Sequence, residues 1–574
     1  MARADRDGPP SVTPERPTSA PKSGGAVLPP AMLAIASLFA FVVLVQGISA
    51  PFQKDAEPQS AEWIQSIVRD GHWLIPHDAY GYTDRKPPLF YWLSAVVAET
   101  TGGTVDELRA RAVSVVAGTA LAVSVLAWTA ANVGASEGWL AFLLMLGTYG
   151  FASRATEALT DMLLTFLLFA AYAAIFPLLE DATASPASSR RKIFVGVILG
   201  LGVLTKGPIA MVLCALAALI YLLIERRNPM ALLRQRWPWQ VVAIAVAIGA
   251  VWYVPAAIVG GHKILRIILA ENFGHFMPAK LGGTGESHRP FYFIAARLLG
   301  GAFPMTLLIL PAALAFYTGE IAAEKRRPVV YQISMSLAVL LFFSIASVKR
   351  DDYILPALPG IAILCASVFK LDVRGAASKL RDPLVVVFAF SSVAILAFLF
   401  FLPRFATQMK LQSSDEAYYT VFFQTMGALL TLFALCYLAL DAVAIFGVLR
   451  RRAILVGVAF GLLGLSQSLL WTTRLRPGLA YARSLKSFVP IVADHVKGNQ
   501  LCIPSGINYE LSYYYGAAVP DLKNPKCGYL LATPRELDAM TPEYRSRLKL
   551  VAKSNLIGGG GPPALFEISP AAAK

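Results

Sequence analysis

Residues 31–93 read AMLAIASLFAFVVLVQGISAPFQKDAEPQSAEWIQSIVRDGHWLIPHDAYGYTDRKPPLFYWL, and the reading of this stretch decides the fold. From Ala31 to Ile48 only Ser37, Gln46 and Gly47 interrupt an apolar run. At about 1.5 Å per helical residue, such a run is long enough to cross the hydrocarbon of a bilayer. No small-residue cleavage site follows a short apolar core, so the run reads as a retained helix rather than a signal peptide. The chain then turns polar, and Asp55 and Glu57 come next, at the membrane surface. A carboxylate there is partly desolvated and close to hydroxyls in the headgroup layer, which suits a general base. Further on, Asp84-Arg85-Lys86 precedes Pro87-Pro88. Two prolines fix a stiff bend, which holds Arg85 and Lys86 at headgroup level. The LFYWL segment after it reads as an interfacial helix with its aromatics in the headgroup belt. Each piece also has a plainer reading: a solvated helix cap for Asp55, a helix start for Lys-Pro-Pro, and belt anchors for Trp73, Tyr91 and Trp92.

The pattern of that first run recurs along the chain. Hydrophobic residues make up 56% of the 574 and charged residues only 15%, where a soluble chain has about a quarter charged. The excess apolar surface must face lipid. Runs at 31–49, 109–132, 136–152, 157–179, 191–205, 207–225, 239–259, 297–318, 329–347, 353–370, 383–402, 421–448 and 453–471 predict about thirteen spans. Basic clusters test that register: SSRRK (188–192), ERRNPMALLRQR (225–236), EKRR (324–327), KLDVRGAASKLR (370–381) and RRR (450–452). With thirteen spans they all fall on the side of the basic N-terminus, which the positive-inside rule makes the cytoplasm. The net charge of +15 is thus a record of topology, and a nucleic-acid-binding surface is excluded because no single face or tail collects the basic residues.

The long loops, 50–108, 260–296 and 403–420, then lie outside with the tail. The expected organisation is a disordered cytoplasmic N-terminus over 1–28, a transmembrane catalytic domain over 29–471 with outer loop 50–108, and an extracytoplasmic α/β domain over 472–574. In that tail, short β-branched and aromatic runs alternate with turns and one helical pattern. Cys502 and Cys527 share the tail and can pair if its compartment is oxidising, while Cys214, Cys365 and Cys436 sit inside apolar runs as filler. No solenoid repeat and no inverted repeat of a secondary transporter is visible.

Several charges sit at membrane depth. Lys206 lies between two apolar runs in LTKGP (204–208), where an ammonium needs an anionic partner or snorkels beside a tight turn. Asp161, at the outer end of the fourth run, is either functional or paired within the bundle. Lys86, Lys206, His275, Lys349 and Arg350 share the expected outer face. No HExxH-like or Cys/His spacing signals a metal, so none is expected.

The motifs GHWLIP (71–76), KPPLFYWL (86–93) and RAVS (111–114), then ATEALTDMLL (155–164), LTKGP, ENFGHF (271–276), ESHRPFYF (286–293) and VKRDDYILPALPG (348–360), follow one another in order. Their order and spacing resemble the family 39 and aminoarabinose-transferase-type membrane glycosyltransferases, GT-C fold enzymes related to protein O-mannosyltransferases. The likeness covers about residues 30–370 and continues more weakly through the tail. It implies an all-α polytopic bundle with a small extracytoplasmic α/β domain. It also implies a polyprenyl-phosphate sugar donor and a single inverting displacement.

By the resemblance Asp55 is the catalytic carboxylate and Asp161 the second acidic position. The leaving phosphate departs already charged and needs cations rather than a strong acid, a task that falls to Lys86, Lys206, Arg85, His275 and Lys349. The sequence departs from the family at Asp55-Ala56-Glu57-Pro58-Gln59, where the second acid is displaced, and Glu57 is expected to have no catalytic role. The implied partners are the donor, membrane lipids, and a lipid A-like lipid, polysaccharide or protein hydroxyl as acceptor. No cofactor is called for, with a divalent cation left open. The location is the inner or plasma membrane, multi-pass, with the active site on the extracytoplasmic side. The rival reading is a transporter or flippase of an anionic polyprenyl-linked lipid. It explains the spans and buried cations but not the large outer loop or the outside domain.

Overall fold

The computed structural model describes residues 26–569 apart from 53–55, 84–85, 181–185, 274–288, 371–374, 391–431, 497–499, 525 and 558–559. The apolar runs become helices because a backbone surrounded by hydrocarbon must satisfy its own hydrogen bonds. Among the described residues seven helices are long and apolar enough to cross a membrane: 107–132, 160–180, 236–272, 323–345, 351–370, 432–449 and 453–483. This is a multi-span membrane protein. The helix through 351–370 is 94% buried over its apolar window and forms the centre of the bundle, whereas 236–272 is 28% buried and lies at its edge.

The expected count of thirteen spans is not confirmed. The run 136–152 is two helices, Ala135–Leu146 and Tyr149–Ala155. They break at Gly147, where a Cβ would lie 2.7 Å from the Leu465 backbone nitrogen; the close approach of two backbones there leaves no room for a side chain. The run 297–318 is also broken, into Phe293–Gly301 and Thr306–Tyr317, bent by 108° across Pro304. The first run forms only Pro30–Leu44. The run 383–402 and the start of 421–448 lie largely outside the described residues.

The outer loop folds onto the bundle. Its first half is the amphipathic helix Ala56–Asp70, and after the Pro87-Pro88 bend comes the helix Leu89–Thr100. The expectation that the aromatics of LFYWL lie in the headgroup belt is corrected for Phe90 and Tyr91. Phe90 and Tyr91 are fully buried, and Tyr91 meets Trp63 edge-on at 5.4 Å. These two rings pack against the loop's own helix, while Leu93 and Val96 on the other face stay exposed.

The tail has a second core, built around Leu485, Phe488, Val492, Leu501, Leu511 and Leu565. Its sheet has the order β1-β2-β4-β3. β1 (Gln500–Cys502) runs parallel to β2 (Cys527–Ala532), and β4 (Ala564–Ile568) pairs antiparallel with β2 and with β3 (Leu548–Lys553). Cys502 and Cys527 form a disulfide between β1 and β2. The short helix Tyr509–Tyr515 presses this unit onto the loop. The Tyr514 hydroxyl donates to Glu107 at 2.7 Å, Tyr513 donates to the Val105 carbonyl at 2.8 Å, and Lys486 pairs with Glu107 at 2.7 Å.

Candidate active site

Asp161 lies in the first turn of the helix Thr160–Glu180, where the helix dipole favours a carboxylate. Lys206 ends the helix Pro186–Lys206. The chain then turns sharply through Gly207, with φ +80°, and Pro208 starts the next helix. That turn aims the Lys206 ammonium at Asp161, to whose Oδ1 it donates at 2.5 Å, and it also lies 5.2 Å from the centre of the Tyr353 ring. Lys206 thus has the anionic partner that its depth requires. The charge of Lys86 also reaches the Asp161 carboxylate, so two of the expected phosphate-binding cations converge here.

Asp161 and Lys206 both line a cavity of about 330 Å³. Leu164, Val212, Leu213, Phe342, Phe343 and Pro356 line it with apolar surface. Asp352 and Tyr353 come from the 3-10 turn Asp351–Ala357, whose neighbour Arg350 lies 3.4 Å from Asp352. Glu271 and Asn272 complete the polar part of the lining, so the cavity joins a mostly apolar wall to a charged patch of three carboxylates and the Lys206 ammonium, as an amphiphilic ligand requires.

A second charged cluster supports the first. Glu57 is fully buried and is held by Arg111 through two bonds of 2.8 and 3.0 Å. It also accepts the Ala158 amide at 2.9 Å. Burial pushes the Glu57 carboxyl up, but the Arg111 guanidinium, with Arg476 nearby, outweighs it and holds the group well below the usual carboxylate range. Arg111 also donates to the carbonyls of Ile48 and Ala50, tying the loop entrance to the helix Glu107–Asn132. Arg154 pairs with Glu157 at 2.6 Å in the turn just before Asp161.

Of the residues expected from sequence, Asp161, Lys206 and Lys86 come together. Lys349 is buried nearby, its ammonium donating to the Ala346 carbonyl at 2.8 Å. Asp55, Arg85 and His275 lie outside the described residues. Sequence reasoning missed the roles of Glu57, Arg111, Arg154, Glu157, Tyr353 and Arg476. Four of these sit inside the motifs RAVS, ATEALTDMLL and VKRDDYILPALPG or in the acid run itself, and Arg154 directly precedes one of them. The signal is present in the sequence, but without a partner to pair it with. Among the described residues no group of three or more His, Cys, Asp or Glu is arranged to hold a metal ion.

Comparison with known proteins bears on the fold. The family model described as dolichyl-phosphate-mannose-protein mannosyltransferase matches residues 85–254. An undecaprenyl phosphate-alpha-4-amino-4-deoxy-L-arabinose arabinosyl transferase from Enterobacter sp. (strain 638) is 28% identical over 323 residues, 54% of each chain. One of the same name from Shewanella sediminis is 25% identical over 344 residues, 59% of this chain and 60% of its own. The chain thus spans little more than half the length of the curated relatives it matches. The crystal structure of ArnT from Cupriavidus metallidurans bound to undecaprenyl phosphate superimposes with a TM-score of 0.71, covering 93% of this chain and 97% of that one at 16% identity. The fold is that of ArnT, and the likeness to aminoarabinose-transferase-type chains read from the motifs is borne out.

Proposed function

We propose that the protein transfers a sugar from a polyprenyl-phosphate carrier to an acceptor hydroxyl on the extracytoplasmic side of the inner or plasma membrane. The observation that carries this reading is the Asp161–Lys206 pair in the lining of a mostly apolar cavity. The isoprenoid occupies the cavity, and its phosphate meets Lys206 and Lys86, with Arg85, His275 and Lys349 as further cations of the donor site. Similarity to relatives named for undecaprenyl phosphate sugars supports the carrier. The disulfide in the tail supports an oxidising compartment on that side.

The acceptor oxygen attacks the anomeric carbon as the bond from that carbon to the phosphate oxygen breaks. The hydroxyl proton passes to Asp55. The polyprenyl phosphate leaves with the bonding electron pair, and fixed cations stabilise its charge without reorganising. Asp161 keeps Lys206 charged and aimed. The acceptor is a lipid, a polysaccharide or a protein hydroxyl.

The test uses the purified protein in vesicles with a polyprenyl-phosphate sugar labelled in the sugar. Label that moves to an acceptor supports transfer, and label that only changes leaflet identifies a flippase. Asp55→Asn retains size but cannot take a proton, so the transfer rate should fall by about 10²–10⁴. An unchanged rate removes Asp55 from the reaction.

A further inference from the structure

The last long helix does not end at the membrane boundary near 471. Ala453–Leu470 continues through a π-helical turn, Trp471–Leu475, into Arg476–Arg483. Its backbone presses on the exit of the first helix. A Cβ on Gly47 would lie 2.1 Å from the Thr472 carbonyl oxygen, and Gly47 takes φ +73°. One extra residue in a turn rotates everything after it by about 100°, and such turns are frequent at functional sites. Here the rotation turns Arg476 inward, to 7% exposure.

Arg476 then touches the two segments that flank the candidate site. It donates to the Ser153 carbonyl at 3.2 Å and to the Thr156 hydroxyl. Its other terminal nitrogen is 3.8 Å from Glu57 and 3.7 Å from Glu157. Residues 153–158 lead directly into the first turn of the helix that carries Asp161, and Glu57 belongs to the loop that also carries Asp55. A buried guanidinium between two carboxylates is a costly way to hold helices together, since apolar packing does that as well or better. What the charge adds is direction: a planar fork that accepts only one arrangement of its partners.

We infer that Arg476 is a positioning residue, which sets the spacing between the first outer loop at Glu57 and the turn before Asp161. The kinetic arm of this inference rests on the proposed sugar transfer; the structural arm does not. Through Arg476 the end of the last helix, and with it the tail, is tied to the geometry of the site.

The test compares wild type with Arg476→Met, Arg476→Lys and Thr156→Val. Three readouts are needed: kcat, Kd for polyprenyl phosphate, and hydrogen exchange in 153–161 against 323–333, the half of its helix that Lys325 ties to Glu137. In Arg476→Met kcat should fall by about 10²-fold, the scale of a 1 Å misplacement, while Kd stays unchanged and exchange rises in 153–161 alone. Arg476→Lys should recover part of kcat. Unchanged kcat and exchange overturn the inference, as does exchange that rises equally in 323–333. A Kd that rises in proportion to the loss of kcat makes Arg476 a donor-binding residue instead and also overturns it. If Arg476→Met does not fold, Thr156→Val decides, because it removes one bond of the fork at almost constant volume. It should lower kcat several-fold and raise exchange in 153–161 but not in 323–333, and no effect on either counts against the inference. If the wild type transfers no sugar, the reading of function fails and the exchange comparison still decides the positioning role.

Discussion

Glu57 and Lys206 illustrate opposite degrees of legibility at the level of single residues. Lys206 is flanked by apolar sequence, so its charge demands an anion on the evidence of its neighbours alone, and Asp161 supplies it at 2.5 Å. Glu57 stands before Pro58, which suggests a mobile turn. Its partner Arg111 is 54 residues away, a separation at which sequence alone pairs nothing. Two consequences follow from these environments. Lys206→Met retains most of the apolar stem and deletes the charge, so kcat/KM should fall at least about tenfold, the value of a charge-assisted contact. Glu57→Gln leaves Arg111 buried without its counter-charge, and breaking such a pair costs about 3–5 kcal/mol. A large drop in the melting temperature of the detergent-solubilised protein is the expected result, and an unchanged melting temperature would contradict it. Sequence alone predicts little effect from this substitution, because it speaks only to whether Glu57 takes a proton.

Helices meet a different limit. The positions of apolar runs are legible because hydrocarbon enforces helix, but breaks at Gly147 and across Pro304 depend on which backbone comes near, a long-range fact. The same holds for the helix Ala56–Asp70, which is partly covered by the tail. Glu62, 4% exposed, accepts from the Ser512 hydroxyl and from the Ala79 amide, with Asp78 close by. Ser66 bridges His72 and His77 one turn further on. Burial pushes the Glu62 carboxyl up from 4.5 to about 7. The docked state therefore binds the proton more tightly than the separated one. Its contribution to docking is complete below pH 4.5 and is lost as the pH rises through about 7. Hydrogen exchange in 509–515 should consequently quicken with pH, beyond the intrinsic rate, across that window. Glu62→Gln should remove this excess; the same excess in both proteins would show that another group titrates.

Across the whole molecule, charge separates the two ends. At the end of the basic clusters, Lys325 pairs with Glu137 at 2.6 Å, Arg326 with Glu225 at 2.8 Å and Arg227 with Glu180 at 2.5 Å, joining loops that sequence can assign to one side but not to one another. At the other end, the loop and the last helix meet at Glu57 and at the turn before Asp161, and the tail packs on the loop at Glu107. The alternation of basic loops makes the first end legible. The second needs the fold, because its charges come from segments as far apart as Glu57 and Arg476. In the proposed function the cavity beside Lys206 holds the carrier lipid with its phosphate at the ammonium. A polyprenyl phosphate bearing a photoreactive diazirine in the isoprene unit next to the phosphate tests it most directly. After irradiation and peptide mapping, adducts should fall on Leu164, Val212, Phe342 and Phe343, and their yield should drop sharply in Lys206→Met. Adducts elsewhere, or an undiminished yield in that variant, would contradict the account.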